Sequence, residues 1–219
     1  MPRMHTEAER PPARMAPGLR AAALLALAPL VLAGCYAETG RDPAYVPKTR
    51  ALELHRDAVA AAAAKEYGRA LTLADAALKE DAGYGDAALT RAVILAQSGK
   101  LEEAAAAYED VAGRWADHPE AHVMRGIVLE KLGRRDEAGG AYAQGLAGFE
   151  ARIAHRPKPR EELMHALTVY LHRGDSAGLV AFNALLGKYP DYQPAMELKQ
   201  RVLKGDRGFV MTWLEEPGR

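Results

Sequence analysis

Small and apolar residues recur between residues 51 and 204 with the spacing of helix faces, and the pattern repeats every 34 residues. In each unit a small residue is followed by a turn and then by Ala-x-x-x-Tyr or Ala-x-x-x-Ala. The columns in register are Ala58, Ala92 and Gly126; Ala70, Ala104 and Ala138; Ala74, Tyr108 and Tyr142; and Gly99 and Gly133. Because residues four apart share a helix face, each unit is predicted to be a pair of antiparallel helices in close contact.

The repeat predicts helix boundaries along most of the chain. Units one to three are predicted at 51–84, 85–118 and 119–152, with turns at Lys65-Glu66, Ser98-Gly99-Lys100 and Leu132-Gly133-Arg134. Gly174 marks the turn of unit four, 41 residues after Gly133, and the seven extra residues predict that the second helix of unit three continues to about His155. Further helices are predicted at Arg160–Arg173, Asp175–Tyr189 and Pro194–Lys204, the last as a cap.

The period and the elements Ala104/Tyr108 and Ala138/Tyr142 resemble the tetratricopeptide repeat. The resemblance covers about residues 51–204 and implies an all-α fold, an α-solenoid of antiparallel helix pairs with about four repeats and a C-terminal capping helix. The sequence departs from the family pattern where that family usually has Trp: Leu54, Ala88, His122 and Leu163 stand there.

An apolar run of 13 residues, Ala21–Ala33, follows Arg14 and Arg20. It is shorter than the roughly 18 residues of a membrane span, and its flanks are typical of a secretory signal peptide. Leu32-Ala33-Gly34-Cys35 after such a run resembles the lipobox of bacterial lipoproteins. The resemblance implies that residues 1–34 are removed and that Cys35 carries the lipid; the alternative is a buried cysteine beside a chance apolar run.

Residues 35–50 are predicted to be a flexible tether, reaching about 50 Å at most. Residues 1–20 are long for the start of a signal peptide, so we expect translation to begin at Met15. Lipoproteins with Asp after the lipidated Cys stay in the inner membrane; Tyr36 therefore implies an outer-membrane lipoprotein facing the periplasm, if the source is a Gram-negative bacterium.

The 219 residues include 29 basic and 29 acidic side chains and one Cys. The zero formal net charge, with no basic block, argues against a nucleic-acid-binding protein. A single Cys excludes an internal disulfide.

Members of the tetratricopeptide family bind a peptide or helix of a partner protein along their first helices. Carried over to this chain, the groove is predicted to be apolar at its centre and polar at one end, without the Lys/Asn carboxylate clamp of chaperone-binding members. The predicted positions are His55, Val59, Leu89, Val93, Gln97, Val123, Ile127, Glu130, Lys131, Met164, Thr168 and His172. The alternative is that Leu89, Val93, Val123 and Ile127 are ordinary inter-helix core.

Two short motifs suggest chemistry, and we interpret both as structural. Gly174-Asp-Ser176-Ala-Gly178 fits the G-x-S-x-G nucleophile elbow of hydrolases, but the elbow needs a preceding strand and the pattern predicts a helix there. His118 and His122 are four apart without the zincin motif or an evident third ligand. We expect no metal, no cofactor and no phosphate-binding loop.

The predicted function is therefore a lipid-anchored adaptor that binds a protein partner in envelope assembly, pilotin-like or assembly-factor-like, and not an enzyme. A serine hydrolase using Ser176 and a self-associating structural lipoprotein are the alternatives, and the oligomeric state stays open. In the tail 205–219, the apolar segment Gly208–Leu214 is expected to pack on the cap or, alternatively, to occupy the groove.

Overall fold

The computed structural model describes residues 45–115 and 118–205, and within them it contains helices and turns but no strand. The predicted signal peptide, Cys35, the start of the predicted tether and the apolar tail lie outside the described residues. The helices are α1 (Thr49–Ala63), α2 (Tyr67–Glu80), α3 (Gly85–Gln97), α4 (Leu101–Arg114), α5 (Pro119–Lys131), α6 (Arg135–His155), α7 (Pro159–Arg173), α8 (Asp175–Lys188) and α9 (Gln193–Leu203).

The helices form an α-solenoid in which each packs mainly against its neighbours in the chain. The pairs are α1–α2, α3–α4, α5–α6 and α7–α8, and α9 packs on α8. The predicted fold class, with four helix pairs and a final single helix, is therefore confirmed. The lengthening of the second helix of unit three is confirmed too: α6 has 21 residues and ends at His155.

The same turn closes the first helices of units one to three and the final helix α9. Lys65, Gly99, Gly133 and Gly205 have φ between 62° and 82°, the left-handed region that favours glycine. In each case the backbone N–H of this residue donates to the carbonyl three residues earlier, at 2.9–3.1 Å. Lys65 is the one non-glycine residue among these four turns, so the first repeat has the least favourable turn residue.

The columns of small residues are contact points between paired helices. Gly126 in α5 lies against the ring of Tyr142 in α6, and a Cβ atom added to Gly126 would be 2.4 Å from that ring. Unit four inverts the arrangement: Tyr170 in the first helix packs over Gly178 in the second, where an added Cβ would lie 2.7 Å from the Cβ of Tyr170. In these two pairs a bulky ring opposite a glycine allows the helices to pack closely.

Successive repeats are also joined by an ion pair of constant spacing. Arg91 of α3 binds Asp75 of α2, and Arg125 of α5 binds Glu109 of α4 at 3.1 Å, both 16 residues apart in sequence. Surface pairs of this kind add little stability. Their recurrence shows that the first and second repeats stack on their successors with the same geometry.

None of the helices in the part of the chain described here combines the length and apolarity that crossing a membrane requires.

Candidate interaction surface

The first helix of a repeat is buried more completely than the second. No residue of α3 or α5 is exposed, and successive residues such as Asp86 to Thr90 point in all directions around the helix axis and are all buried. In α4, by contrast, the buried side chains form one stripe: Ala104, Ala105, Tyr108 and Val111. The second helices thus present one face to solvent, whereas α3 and α5 present none.

This burial extends to most of the predicted groove, which stays a prediction. Seven of its twelve positions are buried: His55, Leu89, Val93, Val123, Ile127, Met164 and Thr168. Val59, Gln97, Glu130 and Lys131 are half-buried, and His172 is exposed. The apolar centre is therefore not an open surface in this structure, and only the polar end keeps contact with solvent.

Local contacts explain the burial of two of these residues. Val123 faces Gly145 of α6, where an added Cβ would lie 2.6 Å from Val123 Cγ2, so this valine packs inside its own helix pair. The Thr168 hydroxyl donates to the carbonyl of Met164 at 2.6 Å, so its hydrogen-bond partner lies within α7. Both residues therefore serve packing rather than an open binding surface.

His55 belongs to a buried polar contact between the first two repeats. Its Nδ1 lies 2.8 Å from the Tyr84 hydroxyl and its Nε2 2.8 Å from Thr90 Oγ1. The rings of His55 and Tyr84 meet edge to face, with centroids 5.0 Å apart. Because both ring nitrogens are engaged inside the protein, this histidine fixes the position of α1 against α3 rather than facing a partner.

The structure reveals a buried charge cluster that the sequence analysis missed. Arg152, in the extension of α6, places Nη1 2.7 Å from Glu120 Oε1 and 3.0 Å from Glu161 Oε2. The carboxylates belong to α5 and α7, so one guanidinium joins three consecutive helices. Burial lowers the pKa of Arg152, but the charges of Glu120 and Glu161 outweigh it, and the net shift is upward. The sequence contained one signal for this cluster: the extra residues that lengthen α6 include Arg152.

A second buried carboxylate follows directly at the start of α7. Glu162 accepts a hydrogen bond from Lys188 Nζ at 2.7 Å and lies 3.3 Å from the Tyr189 hydroxyl. The hydrogen bond to Glu162 raises the pKa of Lys188. The first turn of α7 is therefore tied to α6 on one side and to the end of α8 on the other.

Solved structures with this arrangement of helices are tetratricopeptide repeat proteins. One from Parabacteroides merdae ATCC 43184 is 17% identical, with 90% of this chain and 73% of that chain covered and a TM-score of 0.53. The fold is a tetratricopeptide-like solenoid. No family model matches the sequence, and no curated protein matches it either.

Two further solved structures match with lower TM-scores. MamA (41-end) from Desulfovibrio magneticus RS-1 is 16% identical, with 78% of this chain and 95% of that chain covered and a TM-score of 0.48. YrrB, described as a TPR protein with an unusual peptide-binding site, is 17% identical, with 76% and 84% covered and a TM-score of 0.45.

In this tetratricopeptide-like array, the serine motif forms a helix–helix turn. Gly174, with φ 84° and ψ −175°, is the single residue between α7 and α8, and Ser176 is exposed in the first turn of α8. A helix, α7, precedes the serine, so the strand that a nucleophile elbow requires is not at this site.

The histidine motif lies at the junction of repeats two and three. His118 is buried beside Gly85, where an added Cβ would lie 2.7 Å from its Nε2. Half-buried His122 has a lowered pKa, because burial and the nearby charge of Arg125 disfavour its protonated form. Across residues 45–115 and 118–205, no three His, Cys, Asp or Glu side chains are grouped so that they could hold a metal ion.

The last residues of the predicted tether are bound to the array. The backbone N–H of Lys48 donates to Asp81 Oδ2 at 3.0 Å, and its Nζ donates to the Glu80 carbonyl at 2.7 Å. The first of these hydrogen bonds is the main reason that the pKa of Asp81 is lowered. The chain is therefore fixed from Lys48 onward, and α1 begins at Thr49 rather than at residue 51.

Proposed function

We propose that this protein is a lipid-anchored tetratricopeptide-like scaffold that binds a protein partner in the assembly of a bacterial envelope structure, with a pilotin-like role as the most specific form. The observation that carries the binding function is the solenoid itself. Helix pairs stacked in one direction present a long continuous surface, and such surfaces serve protein recognition. The proposal includes no catalytic residue.

The anchor in this proposal is Cys35, processed and lipidated at the Leu32-Ala33-Gly34-Cys35 motif. With Lys48 bound to Glu80 and Asp81, the segment between the anchor and the array runs from Cys35 to Lys48. Thirteen residues span about 45 Å at most, slightly less than the predicted 50 Å. A partner bound by this scaffold would therefore be held close to the membrane surface, on the periplasmic side of the outer membrane in our proposal.

The partner is expected to make its first contacts at the polar end of the first helices. Gln97 at the end of α3 and His172 at the end of α7 keep solvent contact, whereas the apolar centre is buried. A partner segment that enters from this end would reach the apolar positions afterwards.

The test is a crosslinked pull-down from membranes. The variant Gln97→Arg/His172→Glu alters the polar end without touching a buried side chain, and Glu103→Lys on the exposed side of α4 is the matched control. We expect an abundant partner to be captured by the wild type and the control and lost from the variant. Equal capture by all three would refute the assignment of this surface.

A separate variant tests the anchor. Cys35→Ser should leave the unprocessed chain without lipid, which the intact mass and the membrane fraction report. If this variant is processed normally and is found in the membrane fraction to the same extent as the wild type, the lipoprotein part of the proposal is refuted. The binding part is not affected by that result.

A further inference from the structure

The connections between successive repeats lie along one edge of the array, and so does the start of α1. Lys48, just before α1, is hydrogen-bonded to the end of α2. The α2–α3 connection accepts hydrogen bonds from Arg114 and Trp115 at the end of α4, both at 3.1 Å. Near the end of α6, Arg152 binds the first turns of α5 and α7, and Lys188 at the end of α8 binds the first turn of α7 as well. These contacts join each connection to the next, so the tether enters the array at this inter-repeat edge.

The most basic stretch of the inter-repeat edge is the α6–α7 connection with the residues beside it, 155–160 (HRPKPR), which we call the basic segment. It contains three Arg or Lys side chains, one His and no acidic residue. His155, Arg156 and Lys158 are exposed, and Arg160 is half-buried. Arg156 and Lys158 each precede a proline and have φ of −147° and −126°, outside the helical range. Because proline restricts its own backbone and that of the residue before it, these charges lie on a segment with little conformational freedom.

The turns within repeats, at the opposite edge, have a different charge pattern. Lys100 and Arg134 each form an ion pair with a glutamate three residues further along the chain. The first acidic residues after the basic segment, Glu161 and Glu162, are instead buried and bind basic side chains outside it. Positive charge therefore predominates in the basic segment, whereas the turns at the opposite edge combine both signs.

Aromatic side chains show the same difference between the two edges. Within residues 45–115 and 118–205, five Tyr and Trp side chains are half-buried, and four of them lie at the inter-repeat edge: Tyr45, Trp115, Tyr189 and Tyr192. The Arg114 guanidinium stacks on the Trp115 ring at 4.4 Å, and Val46, beside Tyr45, is 81% exposed. Tyr and Trp that keep contact with water, together with basic residues, are the side chains enriched where proteins meet the membrane–water interface.

We propose that the basic segment binds anionic lipid headgroups of the membrane that holds the anchor, so that the inter-repeat edge faces this membrane. This inference rests on the proposed function, since it takes Cys35 to be lipidated. The tether enters at the same edge, so the anchor and the basic segment can reach one surface together. Anionic headgroups attract Lys and Arg over about one Debye length, which is about 8 Å at physiological ionic strength.

The position of the basic segment decides between possible anionic ligands. An acidic segment of a protein partner could bind these side chains at either edge of the array, and it gives no reason for the tether and the half-buried aromatic residues to lie beside them. A nucleic acid requires a longer basic surface than three Arg or Lys side chains. The membrane surface accounts for all three features of this edge.

Energy transfer to the membrane tests which edge faces it. The processed, lipidated chain is labelled with a thiol-reactive donor dye at Pro157→Cys or, as the matched control, at Asp136→Cys; the lipid blocks Cys35. Both positions are exposed, and they lie at opposite ends of α6, about 30 Å apart. Each protein is inserted into vesicles that contain phosphatidylglycerol and a headgroup acceptor dye, and into vesicles of phosphatidylcholine with the same dye.

We expect transfer on phosphatidylglycerol vesicles to be several-fold more efficient from position 157 than from position 136. This contrast should disappear on phosphatidylcholine vesicles, at high salt and in Arg156→Gln/Lys158→Gln/Arg160→Gln. The control Lys100→Gln/Arg134→Gln/Arg135→Gln removes as many charges from the opposite edge and should keep the contrast.

Equal transfer from both positions would overturn the proposal. A contrast that is independent of lipid charge, or that survives the loss of the three basic side chains, would overturn it too and would leave an acidic protein segment as the ligand. The intact mass before labelling reports lipidation of Cys35. A chain without lipid would refute the anchor and this inference together, whereas a lipidated chain with equal transfer would refute this inference alone.

Discussion

Replacement of Arg152 by Ala tests the buried charge cluster most directly. The guanidinium contacts Glu120 through both terminal nitrogens, at 2.7 and 3.2 Å, and Glu161 through one, at 3.0 Å. The exposed fractions of the three side chains are 14% for Arg152, 2% for Glu120 and 8% for Glu161. The substitution therefore leaves two carboxylates in a site that water barely reaches.

The expected cost follows from this burial. Removing one partner of a buried ion pair typically costs about 3–5 kcal/mol, because the remaining charge stays desolvated without compensation. Arg152 retains some contact with water, so we expect a loss near the lower limit, about 3 kcal/mol. For a chain of this size each kcal/mol lowers the melting temperature by roughly 2–4 °C, which gives a decrease of roughly 6–12 °C.

The assay is thermal and urea unfolding followed by far-UV circular dichroism. Arg134→Ala is the matched control: Arg134 binds Glu137 at the exposed start of α6, and ion pairs that water surrounds add little stability. A loss in Arg152→Ala no larger than in this control would refute the reasoning from burial. The triple variant Arg152→Met/Glu120→Gln/Glu161→Gln should recover most of the loss, because no charge is then stranded.

The position of the damage is also predictable. Because each helix packs mainly on its neighbours, a weakened α5–α6–α7 junction should release the end of the array and leave the first repeat intact. Hydrogen exchange should therefore accelerate in α7 to α9 before it does in α1 and α2. Uniform acceleration along the chain would show that the array unfolds as one unit.

Three further predictions concern single residues. Gly126→Ala should cost about 1–3 kcal/mol in urea unfolding because its Cβ would overlap the Tyr142 ring, whereas Gly140→Ala, with nothing within 4 Å of the added Cβ, should stabilise α6 by up to about 1 kcal/mol. The lowered pKa of His122 means that the folded state resists protonation; wild-type stability should fall as the pH decreases from about 6.5 through the folded-state pKa, and His122→Gln should lose this part of the pH dependence. Lys65→Gly should raise stability by up to about 1 kcal/mol, since φ is 62° there; a decrease would contradict the turn argument.

The helix pairs could be predicted from the sequence because their signals are local. A small residue opposite a tyrosine, repeated every 34 residues, specifies both the spacing of a pair and the place of its turn, as Gly126 and Tyr142 show. The seven residues inserted before unit four likewise appear as two helical turns in α6. Neither feature depends on which way a side chain points around the solenoid.

The charge cluster could not be predicted in the same way. Arg152 binds partners that are 32 and 9 residues away in the sequence. The sequence contains many other arginines and glutamates, and nothing in the pattern shows which of them form ion pairs. His55 presents the same difficulty: its partners Tyr84 and Thr90 lie 29 and 35 residues away, at the end of its own unit and in the next one. Nothing in the pattern separates a buried histidine from one that faces a groove.

The first-helix surface shows why fold and site differ in predictability. An apolar residue that faces a groove and one that faces a neighbouring helix have the same helical spacing, so the sequence alone leaves Val123 and Ile127 open to both interpretations. The structure resolves the choice for Val123, which packs on Gly145 within its own repeat. For Ile127 the burial is equally complete, but α5 as a whole has no solvent-exposed side.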